Sequence, residues 1–218
     1  MANLLITSGP TRQYLDPVRY LTNASSGKMG AALARQAINR GHLVEVISGP
    51  VAVDYPEQAI VTHVVTTEEM LEVAESRFPH CEVLIGAAAP CDYRPKRIAD
   101  EKISKTGGLL TLSLEETPDI VASLGTKKRT DQFVVGFALE TNDHHFRAVM
   151  KAERKSCDLM VLNRPQAMHA DTNDVEILLP SGAVIQKIQG TKDEVADGIV
   201  AVVERLVRER NDANTVMP

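Results

Sequence analysis

A run of small residues, hydroxyls and one lysine, Asn23-Ala24-Ser25-Ser26-Gly27-Lys28-Met29-Gly30, leads directly into an amphipathic segment. Backbone N–H groups at a helix N-terminus, with small neighbours and a cation, make a cradle for an anionic group such as phosphate. A plainly capped helix start uses the same residue types, so this segment alone leaves both readings open. It is not a P-loop: Thr22 stands where the first glycine belongs, and Met29 follows the lysine where Ser or Thr is required. Nor is it G-x-G-x-x-G, which counts against a nicotinamide-dependent oxidoreductase. Upstream, Ser8-Gly9-Pro10-Thr11-Arg12 and Asp16-Pro17-Val18-Arg19 complete a long polar first loop.

Two further stretches have chemical potential. An apolar run ends at Ala87-Ala88-Ala89 and passes into Pro90-Cys91-Asp92-Tyr93-Arg94-Pro95. Small residues at a strand end let a ligand approach the backbone, and Asp92 can accept from a base amino group or a ribose. Lys102 and Lys105 in Glu101-Lys102-Ile103-Ser104-Lys105 can neutralise a triphosphate, although an acidic turn and a solvated lysine run have the same composition. The third stretch is Val134-Val135-Gly136-Phe137-Ala138-Leu139-Glu140-Thr141, followed by Lys151 and Lys155, four apart and so on one helical face. Phe137 suits either the core or a base platform. Cys91 sits beside Asp92, and a neighbouring carboxylate raises a thiol pKa, so packing or substrate shaping is expected of it rather than nucleophilic attack.

The elements that must position these residues are legible from periodicity. Leu4 to Thr7, Leu43 to Ile47, Val61 to Val65, Val83 to Ala88, Phe133 to Ala138 and Leu159 to Leu162 read as strands. Between them lie helices: one carrying Met29, Leu33 and Ala37 and stopped by Gly41, one opened by a Thr66/Glu69 capping box and reaching about Arg77, and one from about Asp143 to Lys155. Thr117-Pro118 reads as a helix cap with a first-turn proline. Glu176 to Leu179 and Val184 to Ile188 flank Pro180-Ser181-Gly182 as a hairpin, and Thr191 with Glu194 opens a final helix. Interleaved helices and apolar strands imply a largely parallel sheet covered on both sides, with ligands expected beyond the carboxyl ends of its strands. Residues 1–210 read as one domain and 211–218 as a frayed, disordered tail.

Composition narrows the function. The 218 residues carry 24 Lys plus Arg against 29 Asp plus Glu, a formal charge of −5, with four Phe, four Tyr and no Trp. That mildly acidic, aromatic-poor balance argues against nucleic acid as a partner. No apolar run approaches the ~20 residues that span a bilayer, and the N-terminus lacks signal-peptide features, so a soluble cytoplasmic protein is expected with no membrane partner. Cys81, Cys91 and Cys157 form no C-x-x-C pair and read as reduced thiols. The adjacent His144 and His145 point in different directions on a helix and are poor co-ligands for a metal.

Taken in order, these pieces resemble the bacterial phosphopantothenoylcysteine synthetase family, also called phosphopantothenate-cysteine ligase, over roughly residues 3 to 207. The segment SGPTR…DPVRYLTNASSGKMG carries most of the resemblance, supported by DYRP at 92–95, EKI-x-K at 101–105, TPDI at 117–120, VVGFA at 134–138 and the paired lysines. The resemblance implies an α/β, Rossmann-like fold with a C-terminal hairpin and a flap. It implies a ligase of coenzyme A biosynthesis that uses CTP with Mg²⁺ to convert 4'-phosphopantothenate to an acyl-cytidylate, which L-cysteine then attacks, releasing CMP. By matched position, Asn23 would hold the acyl-cytidylate and act in amide formation, with Arg19 in support. Ala88, Ala89, Asp92, Thr117, Pro118, Asp119, Ile120 and Phe137 would form the nucleotide pocket, while Lys102 on the flap, Lys151 and Lys155 would meet its phosphates. Ser8, Gly9, Ser25, Ser26, Gly27 and Lys28 would form the phosphate and substrate loop.

The resemblance further implies a homodimer in which the flap serves the neighbouring subunit. It implies no dedicated metal motif and no flavin in this chain. Many bacteria fuse this ligase behind a flavin-dependent decarboxylase. Met1 just before the first strand suggests a monofunctional ligase or a piece without that domain, with a separate phosphopantothenoylcysteine decarboxylase as a candidate partner. Three departures stand out: Pro90-Cys91 where the family has Val-Ala, Ser104 in place of a flap lysine, and Thr117 in place of Asn. A catalytically silent nucleotide-binding module on the same scaffold is the alternative.

Overall fold

The computed structural model describes residues 1–139, 143–163 and 172–216. In chain order the elements are β1 (Asn3–Ser8), β2 (Arg12–Tyr14), β3 (Tyr20–Thr22), α1 (Lys28–Asn39), β4 (Leu43–Ser48), β5 (Ile60–His63), α2 (Thr67–Arg77), β6 (Val83–Gly86), β7 (Tyr93–Pro95) and β8 (Leu114–Glu116). There follow α3 (Ile120–Gly125), β9 (Phe133–Leu139), α4 (His144–Arg154), β10 (Leu159–Asn163), β11 (Thr172–Leu178), β12 (Val184–Thr191) and α5 (Lys192–Val216).

The apolar runs form one eight-stranded sheet in the order β12-β11-β10-β9-β6-β1-β4-β5. Neighbours from β5 to β10 are parallel, with Ile6 of β1 opposite Val46 on one side and Ile85 on the other. The expected hairpin, β11 and β12, adds an antiparallel edge. From β1 the chain winds outward through β4 and β5, then returns to place β6 on the other flank of β1. The strand order reverses there, so a crevice opens outside the carboxyl ends of β1 and β6.

Alternate strand residues point to opposite faces, and each face is buried by helices. Leu4, Ile6, Val46 and Ile85 pack with Leu33 of α1 and Ile199 of α5, while Leu5, Ile47, Leu84 and Val134 pack with Met70 of α2 and Leu124 of α3. Each such side chain contributes about 1.5–3 kcal/mol by leaving water. The Thr66/Glu69 capping box is present: Thr66 Oγ1 accepts from the Glu69 N–H at 3.1 Å and the Glu69 carboxylate accepts from the Thr66 N–H at 3.2 Å.

Four local expectations are revised. β6 stops at Gly86, and Ala87 and Ala89 N–H instead donate to Thr7 O (3.1 Å) and Gly9 O (2.9 Å), drawing the strand end against the first loop. Thr117 does not cap α3. The cap is Asp119, whose carboxylate accepts from the Ala122 N–H at 3.1 Å, because the Thr117 hydroxyl donates to Cys91 O at 2.7 Å. The loops carry two small antiparallel ladders, β2–β3 and β7–β8, too short and irregular in pattern to read from sequence. Finally, α5 continues past Asn211 to Val216, with no Gly or Pro between Gly198 and Val216 to break it. No described helix is long and apolar enough to cross a membrane.

Candidate functional site

Two adjoining cavities occupy the crevice. The first, of about 470 Å³, lies between the ends of β6 and β9 and the start of α3, and it is lined by Thr117, Pro118, Asp119, Ile120 and Lys155. The second, of about 500 Å³, runs from Asn23 and the N-terminus of α1 to Asn163, Asn173 and Lys192. Ala88, Pro90, Asp92 and Phe137 line both and so form the wall between them.

The first loop is held by its own polar groups. Ser8 is fully buried: its hydroxyl accepts from Tyr55 OH at 2.9 Å and donates to Gly27 O at 3.3 Å, and Tyr55 OH also bonds Ser48 Oγ at 2.9 Å. Gly27 caps α1 with φ of 74°, a left-handed conformation that favours glycine. Gly30 has no room for a side chain, since a Cβ there would stand 2.0 Å from Ser8 Oγ and 2.5 Å from Ser8 Cβ. This close approach seats the first turn of α1 on β1 and turns its backbone N–H groups, with Lys28, toward the second cavity.

Asn23 stands at the junction. Its Nδ2 donates to Pro90 O at 2.7 Å, which leaves one amide N–H and the carbonyl oxygen of the side chain for other partners. Pro90 in turn is held by its neighbours: Ala89 N–H donates to Gly9 O at 2.9 Å and Cys91 N–H to Thr11 Oγ1 at 2.7 Å. The donor that a proline lacks is therefore absent from a position where the flanking amides secure the turn. Thr67 and Thr117 hydroxyls both donate to Cys91 O, at 3.2 and 2.7 Å, tying this turn to α2 and to the segment before α3.

Cys91 is buried and lines neither cavity, its thiol donating to Tyr93 O at 3.2 Å. Burial, reinforced by the Asp92 and Glu68 charges, pushes that thiol above its ordinary pKa, the opposite of what a thiolate nucleophile needs.

The structure separates several residues that the sequence groups together. Lys151 lines the second cavity and Lys155 the first, so the two lysines of one helical face serve opposite sides of Phe137. Lys155 Nζ pairs with Asp119 at 3.0 Å, joining the end of α4 to the cap of α3. Ser25, Ser26, Gly27 and Lys28 line the second cavity, whereas Ser8 and Gly9 lie beneath it and line neither. Glu140 and Thr141 lie outside the described residues.

Arg19 also lines neither cavity. Its Nε donates to Asp16 at 2.9 Å and its Nη2 to Ile103 O at 2.6 Å, while Asp16 Oδ2 accepts from the Ile103 N–H at 3.1 Å. The Arg19 guanidinium and backbone donors of Val18, Ile103 and Arg19 hold the Asp16 carboxyl well below the usual range. Arg19 is thus placed to anchor the 96–113 connection between β7 and β8, the expected flap, beside Lys102. Lys102 is exposed and lines neither cavity of its own chain.

Among the described residues no group of three or more His, Cys, Asp or Glu is gathered as a metal cage. Asn163, Asn173 and Lys192 were missed from sequence. Each is a single polar residue far along the chain from the first loop, brought to the crevice only by the strand order. Lys192 Nζ donates to Asn173 Oδ1 at 2.8 Å, and Asn163 Oδ1 is buried with no hydrogen-bond partner.

The family described as DNA/pantothenate metabolism flavoprotein C-terminal domain matches residues 1–206. The chain belongs to that family. Relatives include the coenzyme A biosynthesis bifunctional protein CoaBC of Bacillus subtilis (strain 168), 42% identical over 185 residues, covering 83% of this chain and 45% of the relative. The CoaBC of Haemophilus influenzae is 35% identical over 206 residues, covering 93% and 52%. The domain spans about half the length of these curated relatives. Among solved structures, the C-terminal domain of a CoaBC superposes with a TM-score of 0.80 at 34% identity, covering 95% of this chain and 96% of that one. A Cab2 variant in complex with phosphopantothenate-cysteine shares the fold, with a TM-score of 0.81 at 19% identity over 98% and 89% of the two chains. The α/β, largely parallel architecture expected from sequence is thus that of the family.

Proposed function

We propose that this domain is a phosphopantothenate-cysteine ligase of coenzyme A biosynthesis, which joins 4'-phosphopantothenate to L-cysteine and consumes CTP. The observation that carries the reading is the pair of cavities sharing one wall, with the Asn23 carboxamide pinned at their junction. A ligation that activates a carboxylate on a nucleotide needs two ligands side by side and one reacting point between them. A silent nucleotide-binding module would leave the second cavity and Asn23 without a task.

In this reading the nucleotide occupies the first cavity, with Phe137 and Pro118 against the base and Asp92 accepting from its amino group or ribose. Lys155 and Lys151 approach the phosphates from either side of Phe137. Mg²⁺ would neutralise the triphosphate and would be held by phosphate oxygens and water more than by residues of this chain. The acid lies in the second cavity with its carboxylate toward Ala88 and Asn23. Its oxygen attacks the α-phosphorus in line and pyrophosphate leaves, a step that asks for positioning and charge neutralisation rather than a protein nucleophile. The cysteine amine then attacks the acyl carbon, the remaining Asn23 N–H donates to the developing oxyanion, and CMP departs as the amine loses its proton. The exposed Lys102, anchored through Ile103 by Arg19 and Asp16, fits a flap delivered to the site of a second copy in a homodimer.

The test is pyrophosphate release from CTP and Mg²⁺ with 4'-phosphopantothenate, with and without cysteine, and products identified by mass. The expected result is release that depends on the acid, then CMP and the cysteine adduct. Asn23→Ala should still release pyrophosphate in a single turnover but form the amide about 10²–10³ times more slowly, accumulating the acyl-cytidylate. CTP binding without pyrophosphate or adduct would favour the silent module instead.

A further inference from the structure

The far end of the second cavity is built for an anion. The chain as a whole carries a formal charge of −5. Yet among the described residues the charged side chains lining this cavity are Lys28, Lys151, Lys192 and Asp92, three cations and one carboxylate. Asp92 belongs to the wall shared with the first cavity, and Lys151 meets the nucleotide's phosphates in the reading above; the cation beside Asn173 at the far end is Lys192. Asn173 is 4% exposed, and with its oxygen taken by Lys192 Nζ at 2.8 Å its amide N–H groups remain as donors beside the ammonium. Asn163, on the strand between, lines the same cavity and holds a buried carboxamide oxygen with no partner in the protein. Such an orphan acceptor calls for a donor that the protein itself does not supply.

The separation also fits. β10 and β11 lie two and three places from β6 in the sheet, about 10 and 14 Å at ordinary interstrand spacing. In 4'-phosphopantothenate the carboxyl carbon and the phosphorus are about nine bonds apart, the reach of three extended residues or roughly 10 Å. With the carboxylate at Asn23 beside the β6 end, the phosphate falls near the ends of β10 and β11.

Resting on the ligase reading above, we infer that Lys192 and Asn173 bind the phosphate of the acid substrate and set the preference for the phosphorylated over the unphosphorylated acid. Asn163 takes a donor, the amide N–H or the secondary hydroxyl, from the middle of the same molecule.

The experiment uses Lys192→Met, which keeps the aliphatic stem, and Lys192→Arg, which restores the charge. Binding of 4'-phosphopantothenate and of pantothenate is measured by calorimetry without nucleotide, and KM values for the acid and for CTP are measured by pyrophosphate release. Lys192→Met should weaken phosphopantothenate about ten- to a hundredfold, leave pantothenate and the KM for CTP within about twofold, and be partly rescued by Lys192→Arg. Asn173→Ala should show the same selectivity, provided its melting transition stays cooperative. Equal phosphopantothenate affinity in wild type and Lys192→Met overturns the inference, as does parallel weakening of both acids. Wild-type protein that binds the phosphorylated acid through Lys192 but releases no pyrophosphate leaves this site standing and removes the ligase reading alone.

Discussion

Replacing Gly30 with Ala tests the contact on which the whole second cavity is built. An added Cβ would lie 2.5 Å from Ser8 Cβ and 3.3 Å from Ser8 Cα, so the obstacle is not a flexible side-chain tip. Rotating the Ser8 hydroxyl away would sacrifice its bonds to Tyr55 and Gly27 without moving Ser8 Cβ. Relief therefore requires α1 to move off β1 by about 1 Å, toward the ~3.5 Å at which carbon atoms rest. Overpacking of this kind costs about 3 kcal/mol at the upper end of its usual range. Alanine recovers about 1 kcal/mol of that through its better helix propensity. The net loss of about 2 kcal/mol corresponds to a Tm lower by about 4–8 °C in a domain of this size.

Thermal unfolding followed by circular dichroism reads this directly, with Gly108→Ala as the control because nothing lies within 4 Å of a Cβ there. The control should match wild type within about 1 °C. Adding Ser8→Gly to Gly30→Ala should recover part of the loss, since it removes the atoms in the way, and the double-mutant cycle measures that coupling. A Gly30→Ala protein as stable as wild type, or more stable as helix propensity alone demands, would refute the argument.

Two other outcomes follow from the site geometry. Cys91→Ala should retain turnover within about tenfold, because the thiol is buried against Tyr93 O and raised in pKa; loss of several orders of magnitude would restore a covalent role. Asp16→Asn should lower Tm at neutral pH. Because the folded carboxyl titrates below the ordinary Asp value of about 3.9, its stabilisation is fully present above that pH and is lost only as pH falls through the folded value. The Tm gap between variant and wild type should thus hold from pH 7 to about pH 4 and close below it. A gap constant down to about pH 2 would separate the charge from stability.

The local signals that survived folding are those that depend on neighbours in sequence. Apolar runs became strands because a parallel sheet buried on both faces accepts nothing else, and the Thr66/Glu69 box closed because both partners lie within one helical turn. Thr117 shows where such reasoning stops. Its type suits a cap, but Cys91 O, 26 residues away, takes the hydroxyl and Asp119 caps in its place. Cap propensity is worth about a kilocalorie, and one tertiary hydrogen bond matches it.

By itself the sequence determined the alternation of strands and helices, the polar first loop ending in Gly27-Lys28, and, through resemblance, the identity of many of the residues lining the crevice. Only the tertiary structure decided how those residues divide. It placed Lys151 and Lys155 in different cavities, buried Ser8 beneath the loop instead of within it, and turned Arg19 toward Asp16 and the flap. It also brought Asn163, Asn173 and Lys192 to a site that opens at Asn23. The physical reason is the strand order: a reversal between β1 and β6, with β10 and the hairpin stacked beyond β9, sets residues 140 or more positions apart along one crevice, and nothing within a short window of sequence encodes that order.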